Sequence, residues 1–191
     1  MIKKVQYNSP VILTFALVSL AALVLNTLTR GYTNALFFSV YRSSFQDPLT
    51  VIRLFGHVLG HANLEHYVGN MMMLLLLGPM VEERYGSINL LIMIGITAVV
   101  TGIINMVFFS GTALLGASGI VFLLIVLSSM VGFSDGRIPL TLILVLVFYL
   151  GQEIYDGLFT KDNISHITHI IGGLCGCMFG FALAKNRRGM D

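Results

Sequence analysis

Seven polar side chains stand where a greasy chain has no ordinary use for them. His57 and His61 precede one apolar stretch, with His66 and Asn70 inside it. Ser118 heads a second stretch, in Gly116-Ala117-Ser118-Gly119, and His166 and His169 head a third. A strongly polar residue within an apolar span points to function. At a helix start, the first backbone N–H groups lack intrahelical partners and carry the positive end of the helix dipole. A tetrahedral oxyanion formed on Ser118 would meet those donors. A serine hydroxyl needs a base to become nucleophilic, and His169 is the candidate. His66 and Asn70, four residues apart, share a helix face and offer further donors to the oxyanion. No Asp or Glu lies well inside an apolar stretch, Glu153 being at the edge of one, so the expected unit is a Ser118–His169 dyad.

Depth brings these residues together. From His66 to Glu82, from Ser118 to Ser134 and from His169 to Lys185 the chain advances sixteen residues each time, about 24 Å at helical rise. In a hydrocarbon core about 30 Å thick, all three sit a few ångströms below one surface. His166 falls about 4.5 Å higher, in the interface. His169, Gly172, Gly176 and Gly180 follow one helix face, a small-residue ladder that lets a neighbouring backbone come close. On the residues alone other readings stay open. Ser118 is also a good helix N-cap, His169 an interhelical hydrogen-bonder, and His66 and Asn70 braces of their own helix. His57 and His61 read as structural, hydrogen-bonding a long interfacial loop.

The elements that must carry these groups follow from composition. Of 191 residues 56% are hydrophobic and 10% charged, with a mean hydropathy of +0.88, against roughly 25% charged in a soluble domain. Eleven Lys+Arg and nine Asp+Glu cannot cover a soluble surface, and without a basic patch nucleic acid is not a partner. The reading is an all-α polytopic membrane protein, one domain over 1–191. Its six spans are near 10–29, 64–82, 87–108, 117–133, 138–153 and 165–185, the first an uncleaved helix. The aromatic segment 36–42 between the first two spans is expected to lie in the membrane interface. Lys3, Lys4, Arg84, Arg137, Lys185, Arg187 and Arg188 fall on one side, against Arg30, Arg42, Arg53 and Lys161 on the other. That bias puts both termini in the cytoplasm. Cys175 and Cys177 form neither a disulfide framework nor a zinc site. A haem or metal site using His57, His61, His66 and His169 is not expected. There is no His-Glu-x-x-His, and the histidines lack carboxylate partners inside the spans.

Four motifs in order then resemble the rhomboid family of intramembrane serine proteases over nearly all of 1–185. They are His57-xxx-His61-xxxx-His66-xxx-Asn70, Gly78-xxx-Glu82-x-Arg84-x-Gly86, Gly116-x-Ser118-Gly119 and His169-xx-Gly172-xxx-Gly176. The resemblance implies a six-helix bundle in the bacterial cytoplasmic membrane that needs no cofactor and no metal. Ser118 would be the nucleophile and His169 the base, with His66, Asn70 and the Ser118 amide stabilising the oxyanion. It also implies transmembrane protein substrates, cut near the outer end of their helix after a small residue. A lid would lie at about 154–164, with Gly157 and Phe159, and Glu82 and Arg84 would form a structural pair. The alternative is a catalytically silent relative that binds membrane proteins. This chain has Ile52-Arg53 where the family often has Trp-Arg, Phe122 where it often has Tyr, and Thr168 where it often has Ala.

Overall fold

The computed structural model describes residues 6–131, 137–159 and 166–187. Among them are eight α-helices, two short π-helical turns and no strand. The helices are α1 (Pro10–Leu28), α2 (Pro48–Gly56), α3 (Leu64–Tyr85), α4 (Ser87–Phe108), α5 (Ser118–Ser129), α6 (Leu140–Val145), α7 (Gly151–Phe159) and α8 (His166–Arg187). Three stretches, Pro10–Leu28, Ser87–Phe108 and His166–Leu183, are long and apolar enough to cross a membrane, and Ser118–Ser129 and Leu140–Tyr155 are shorter apolar helices. α3 is not among the three. It carries Glu65, Glu82, Glu83 and Arg84.

The first helix shows how buried charge organises the bundle. Pro10 occupies its first turn, where a missing N–H costs nothing. The next two amides, Val11 and Ile12, donate to the carboxylate of Glu82 on α3 at 3.0 and 3.1 Å, and the Ser87 hydroxyl donates to it at 2.7 Å. Glu82 is buried. A carboxylate is favoured at this positive helix end, so Glu82 fastens α1 to the α3–α4 turn. Its structural role therefore runs through the head of another helix.

The connection between α1 and α3 is a stitched layer. A π turn, Asn34–Phe38, leads to Val40, which pairs with Leu114 through reciprocal backbone bonds of 2.9 and 2.8 Å. Asp47 caps α2 by accepting from Leu49 N–H. Arg53 on α2 donates to the Leu36 carbonyl at 2.9 Å and to Asp47 at 3.0 Å, and lies 4.7 Å from the Tyr41 ring centre. Arg42 reaches the end of α4, donating to the carbonyls of Met106 and Val107 at 3.1 and 2.6 Å. The opposite face of α2, with Val51, Ile52 and Phe55, is exposed.

α5 is the centre. Ten of its twelve residues are buried, against α3, α4, α6 and α8. Its core partners include Ile12, Leu74, Leu90, Met93 and Cys175. Twelve residues span about 18 Å, well short of the 22-residue α4 before it. The sequence expectation of a span over 117–133 is therefore too long. Ser134, the endpoint of the depth count, lies outside the described residues. The chain enters α5 through the irregular segment 109–117.

Candidate active site

Ser118 is the first residue of α5. Ala117 holds the cap position and no side chain caps this end. Ser118 is therefore not the N-cap of this helix. The approach is fixed from two sides. Leu114 is bridged to Val40, and Gly116 N–H donates to the His57 carbonyl at 2.9 Å. Gly116 has φ +126°, a conformation closed to ordinary L side chains. A Cβ there would also lie 2.7 and 2.8 Å from His66 Cε1 and Nε2, and 4.0 Å from Asn70 Nδ2. The glycine thus lets the imidazole and the amide of α3 close on the turn that leads into Ser118.

His66 and Asn70 are held from behind. Asn63 caps α3, accepting from His66 N–H at 2.8 Å. Asn70 Nδ2 donates to the His66 carbonyl at 3.0 Å. His66 Nδ1 faces the Ala62 N–H over a long 3.5 Å, and Nε2 is the nitrogen beside Gly116. His61 packs edge-on to His66 at 5.1 Å and to Tyr67 at 5.4 Å.

His57 and His61 lie outside the apolar spans and serve the loops. His57 Nδ1 donates to the carbonyls of Arg53 and Leu54, and its Nε2 is 3.4 Å from Thr101 Oγ1. His61 Nδ1 donates to the Leu59 carbonyl, and the His61 carbonyl accepts from Asn34 Nδ2. Burial holds both imidazoles down at about 4 against an ordinary 6.5, with the neighbouring His66 adding to the effect at His61. Both are neutral at physiological pH.

α8 meets α5 along its glycines. A Cβ on Gly172 would overlap the carbonyl oxygen of Gly119. One on Gly176 would lie 2.9 Å from the Leu123 carbonyl oxygen and from Val126 Cβ, and one on Gly180 would strike the Met130 side chain. The ladder therefore brings α8 against the turn carrying Ser118. Phe122, one turn after Ser118, stacks flat on His169, with ring centres 4.6 Å apart and planes 5° from parallel. Tyr149 meets Phe122 edge-on at 6.0 Å. The methyl of Thr168 sits over Gly119. His169 and Asn70 are buried, while Ser118 and His66 are half-buried.

One expectation needs correcting: the sequence reading puts Glu153 at the edge of a span ending at 153, with no histidine as its partner. The helical path continues through the π turn Leu146–Leu150 into α7, which places Glu153 inside a helix facing α8. Its Oε2 accepts from His166 Nδ1 at 2.8 Å and from His169 Nδ1 at 2.9 Å. His166, expected in the interface against the lid or water, meets the carboxylate of this helix. It is half-buried against Glu153. The three ligand-type atoms lie within 4.8 Å of one another, a donor set of the kind divalent ions accept. The expected lid at 154–164 begins as helix through Phe159, and residues 160–164 lie outside the described residues. The signal that marks Glu153 in the sequence is its standing as the single carboxylate between Arg137 and Asp156.

Residues 48–186 match the rhomboid domain family. The rhomboid protease GlpG of Haemophilus influenzae is 22% identical over 180 residues, covering 92% of this chain and 93% of that protein. Rhomboid-related protein 1 of Caenorhabditis elegans is 31% identical over 149 residues, covering 70% and 40%. Rhomboid-like protein 11, chloroplastic, of Arabidopsis thaliana is 29% identical over 140 residues, covering 65% and 50%. The chain thus spans nearly the whole bacterial relative and half or less of the other two. With its apolar helices and the matched domain, the chain is an integral membrane protein belonging to the rhomboid family.

Proposed function

We propose that the chain is an intramembrane serine endopeptidase with Ser118 as nucleophile and His169 as general base. The observation that carries the reading is the close approach of α5 and α8 at Gly119 and Gly172. Gly119 follows Ser118, Gly172 lies one turn after His169, and Phe122 of the same helix as Ser118 stacks on the His169 ring. Ser118 Oγ attacks the scissile carbonyl carbon as its proton passes to His169 Nε2, and the carbonyl π electrons move onto oxygen. His66, Asn70 and the amides at the start of α5 receive that oxyanion. Collapse breaks the C–N bond, the amine leaves with the proton from His169, and water activated by the same histidine releases the acyl group. The substrates are transmembrane proteins, cut near the outer end of their helix. The chain crosses the membrane six times, with both termini in the bacterial cytoplasm. The excess of Lys and Arg on the side that carries the termini supports this orientation, with the site opening to the other side.

The test is labelling of purified protein by a fluorophosphonate, together with cleavage of one transmembrane substrate in lipid vesicles. Wild type is expected to label and cut. Ser118→Ala and His169→Ala are expected to do neither while unfolding at the wild-type temperature. Substantial cleavage by Ser118→Ala sinks the serine mechanism. A wild type that captures membrane proteins but neither labels nor cuts would mark it as a silent binder.

A further inference from the structure

The geometry points to Glu153 as a positioning residue that holds His169 in the orientation a general base requires, turning the two-residue unit into a carboxylate–imidazole–hydroxyl arrangement that spans α7, α8 and α5. This rests on the protease reading above. Glu153 Oε2 is 2.9 Å from His169 Nδ1, a distance typical of a charge-assisted hydrogen bond. The side chains are 14% and 10% exposed, so water competes little for either group. In a neutral imidazole one nitrogen donates and the other accepts. With Nδ1–H given to the carboxylate, the lone pair sits on Nε2, on the far edge of the ring. That tautomer is the one able to take a proton from Ser118. When Nε2 is protonated, the imidazolium forms beside a carboxylate already in place, without reorganisation. Phe122, parallel to the ring, fixes its plane. Glu153 fixes its rotation within that plane.

His166 completes the arrangement. A buried carboxylate is costly unless its oxygens are satisfied. His166, three residues before His169 and on the same side of α8, donates to the same Oε2 at 2.8 Å, with its ring edge-on to His169. Two donors from successive turns of α8 thus hold a single oxygen from α7. The arrangement gives the His166 side chain a role the nucleophile and base leave unexplained. The same three atoms could bind a divalent ion instead, which the experiment must separate.

The experiment compares wild type, Glu153→Gln and Glu153→Asp for cleavage of one transmembrane substrate in vesicles, with zinc content measured on each protein. Side-chain NMR of histidine-labelled wild type, His166→Ala and His169→Ala accompanies it. The expected result is a kcat lower by about 10²–10⁴-fold in Glu153→Gln, with KM little changed and Glu153→Asp recovering much of the loss. Wild type should show two far-downfield Nδ1–H signals, one missing in each histidine variant. A Glu153→Gln protein with wild-type kcat, or a loss confined to KM, overturns the inference. Should that variant not fold, absence of a downfield His169 signal from wild type overturns it equally. Stoichiometric zinc in wild type that is lost in Glu153→Gln also overturns it, since the three residues would then be metal ligands. A wild type that neither cleaves nor labels overturns the protease reading itself and any catalytic role with it. A wild type that cleaves beside an equally fast Glu153→Gln overturns Glu153 alone.

Discussion

Gly172→Ala isolates the contact that brings the two helices of the site together. The new methyl carbon would overlap the Gly119 carbonyl oxygen and lie 2.9 and 3.1 Å from the Gly119 carbonyl carbon and Cα. All three are backbone atoms, so no rotamer change relieves the clash. The carbonyl oxygen is the tightest of the three, and restoring an ordinary van der Waals separation there requires α5 and α8 to part by roughly 1 Å. Gly119 follows Ser118 directly, and Gly172 lies one turn from His169, so the displacement falls between nucleophile and base. A misplacement of about 1 Å can cost on the order of 10²-fold in rate. Overpacking costs about 1–3 kcal/mol, offset by up to about 1 kcal/mol because alanine is the better helix former. The expected outcome is therefore a large loss of kcat with a modest loss of stability. Gly95→Ala is the control: its Cβ would meet only Phe55 Cε1 at 4.0 Å. Cleavage is followed in vesicles and unfolding by heat in the same lipid. Wild-type kcat in Gly172→Ala, or an equal loss in Gly95→Ala, would refute the claim that this contact sets the geometry.

His66→Ala and Asn70→Ala are each expected to slow cleavage by about 10²–10³-fold while leaving some fluorophosphonate labelling; wild-type rates in both would make the pair structural. Glu82→Ala removes the partner of two α1 amides, at roughly 1–3 kcal/mol for each one left unpaired. An unchanged unfolding temperature would show that α1 is held by its apolar face instead. Cysteines introduced one at a time at positions 3 and 188 should resist an impermeant thiol reagent applied from outside intact cells; labelling of either would reverse the proposed orientation.

Much of the fold is legible along the chain because lipid imposes a one-dimensional rule. A span must satisfy its own backbone as helix and present an apolar surface, so hydropathy and glycine breaks locate the helices. The observed α1, α3, α4 and α8 begin within two residues of the sequence reading. The glycine ladder of α8 was legible for a similar reason, since helical spacing fixes which residues share a face. What it would meet was not, and Gly119, Leu123, Val126 and Met130 are identified only by the packed pair. Hydropathy sets α5 too long because apolar composition continues past Ser129, whereas the helix ends there.

The residue types and motif spacings by themselves determined the family resemblance and the candidate nucleophile, base and oxyanion donors. They also determined the all-helical class, because each of these depends on neighbours a few residues apart. The tertiary structure alone decided what touches what across long separations. It put Glu82 at the head of α1, 70 residues away from Ile12 in the chain, His66 against the Gly116 turn, and Phe122 flat on His169. Above all it placed Glu153 on both histidines of α8. Helical periodicity gives each residue a face, but it does not say which helix packs on that face. A carboxylate that reads as the polar end of one span becomes, when α7 packs on α8, the hydrogen-bond acceptor of the proposed base.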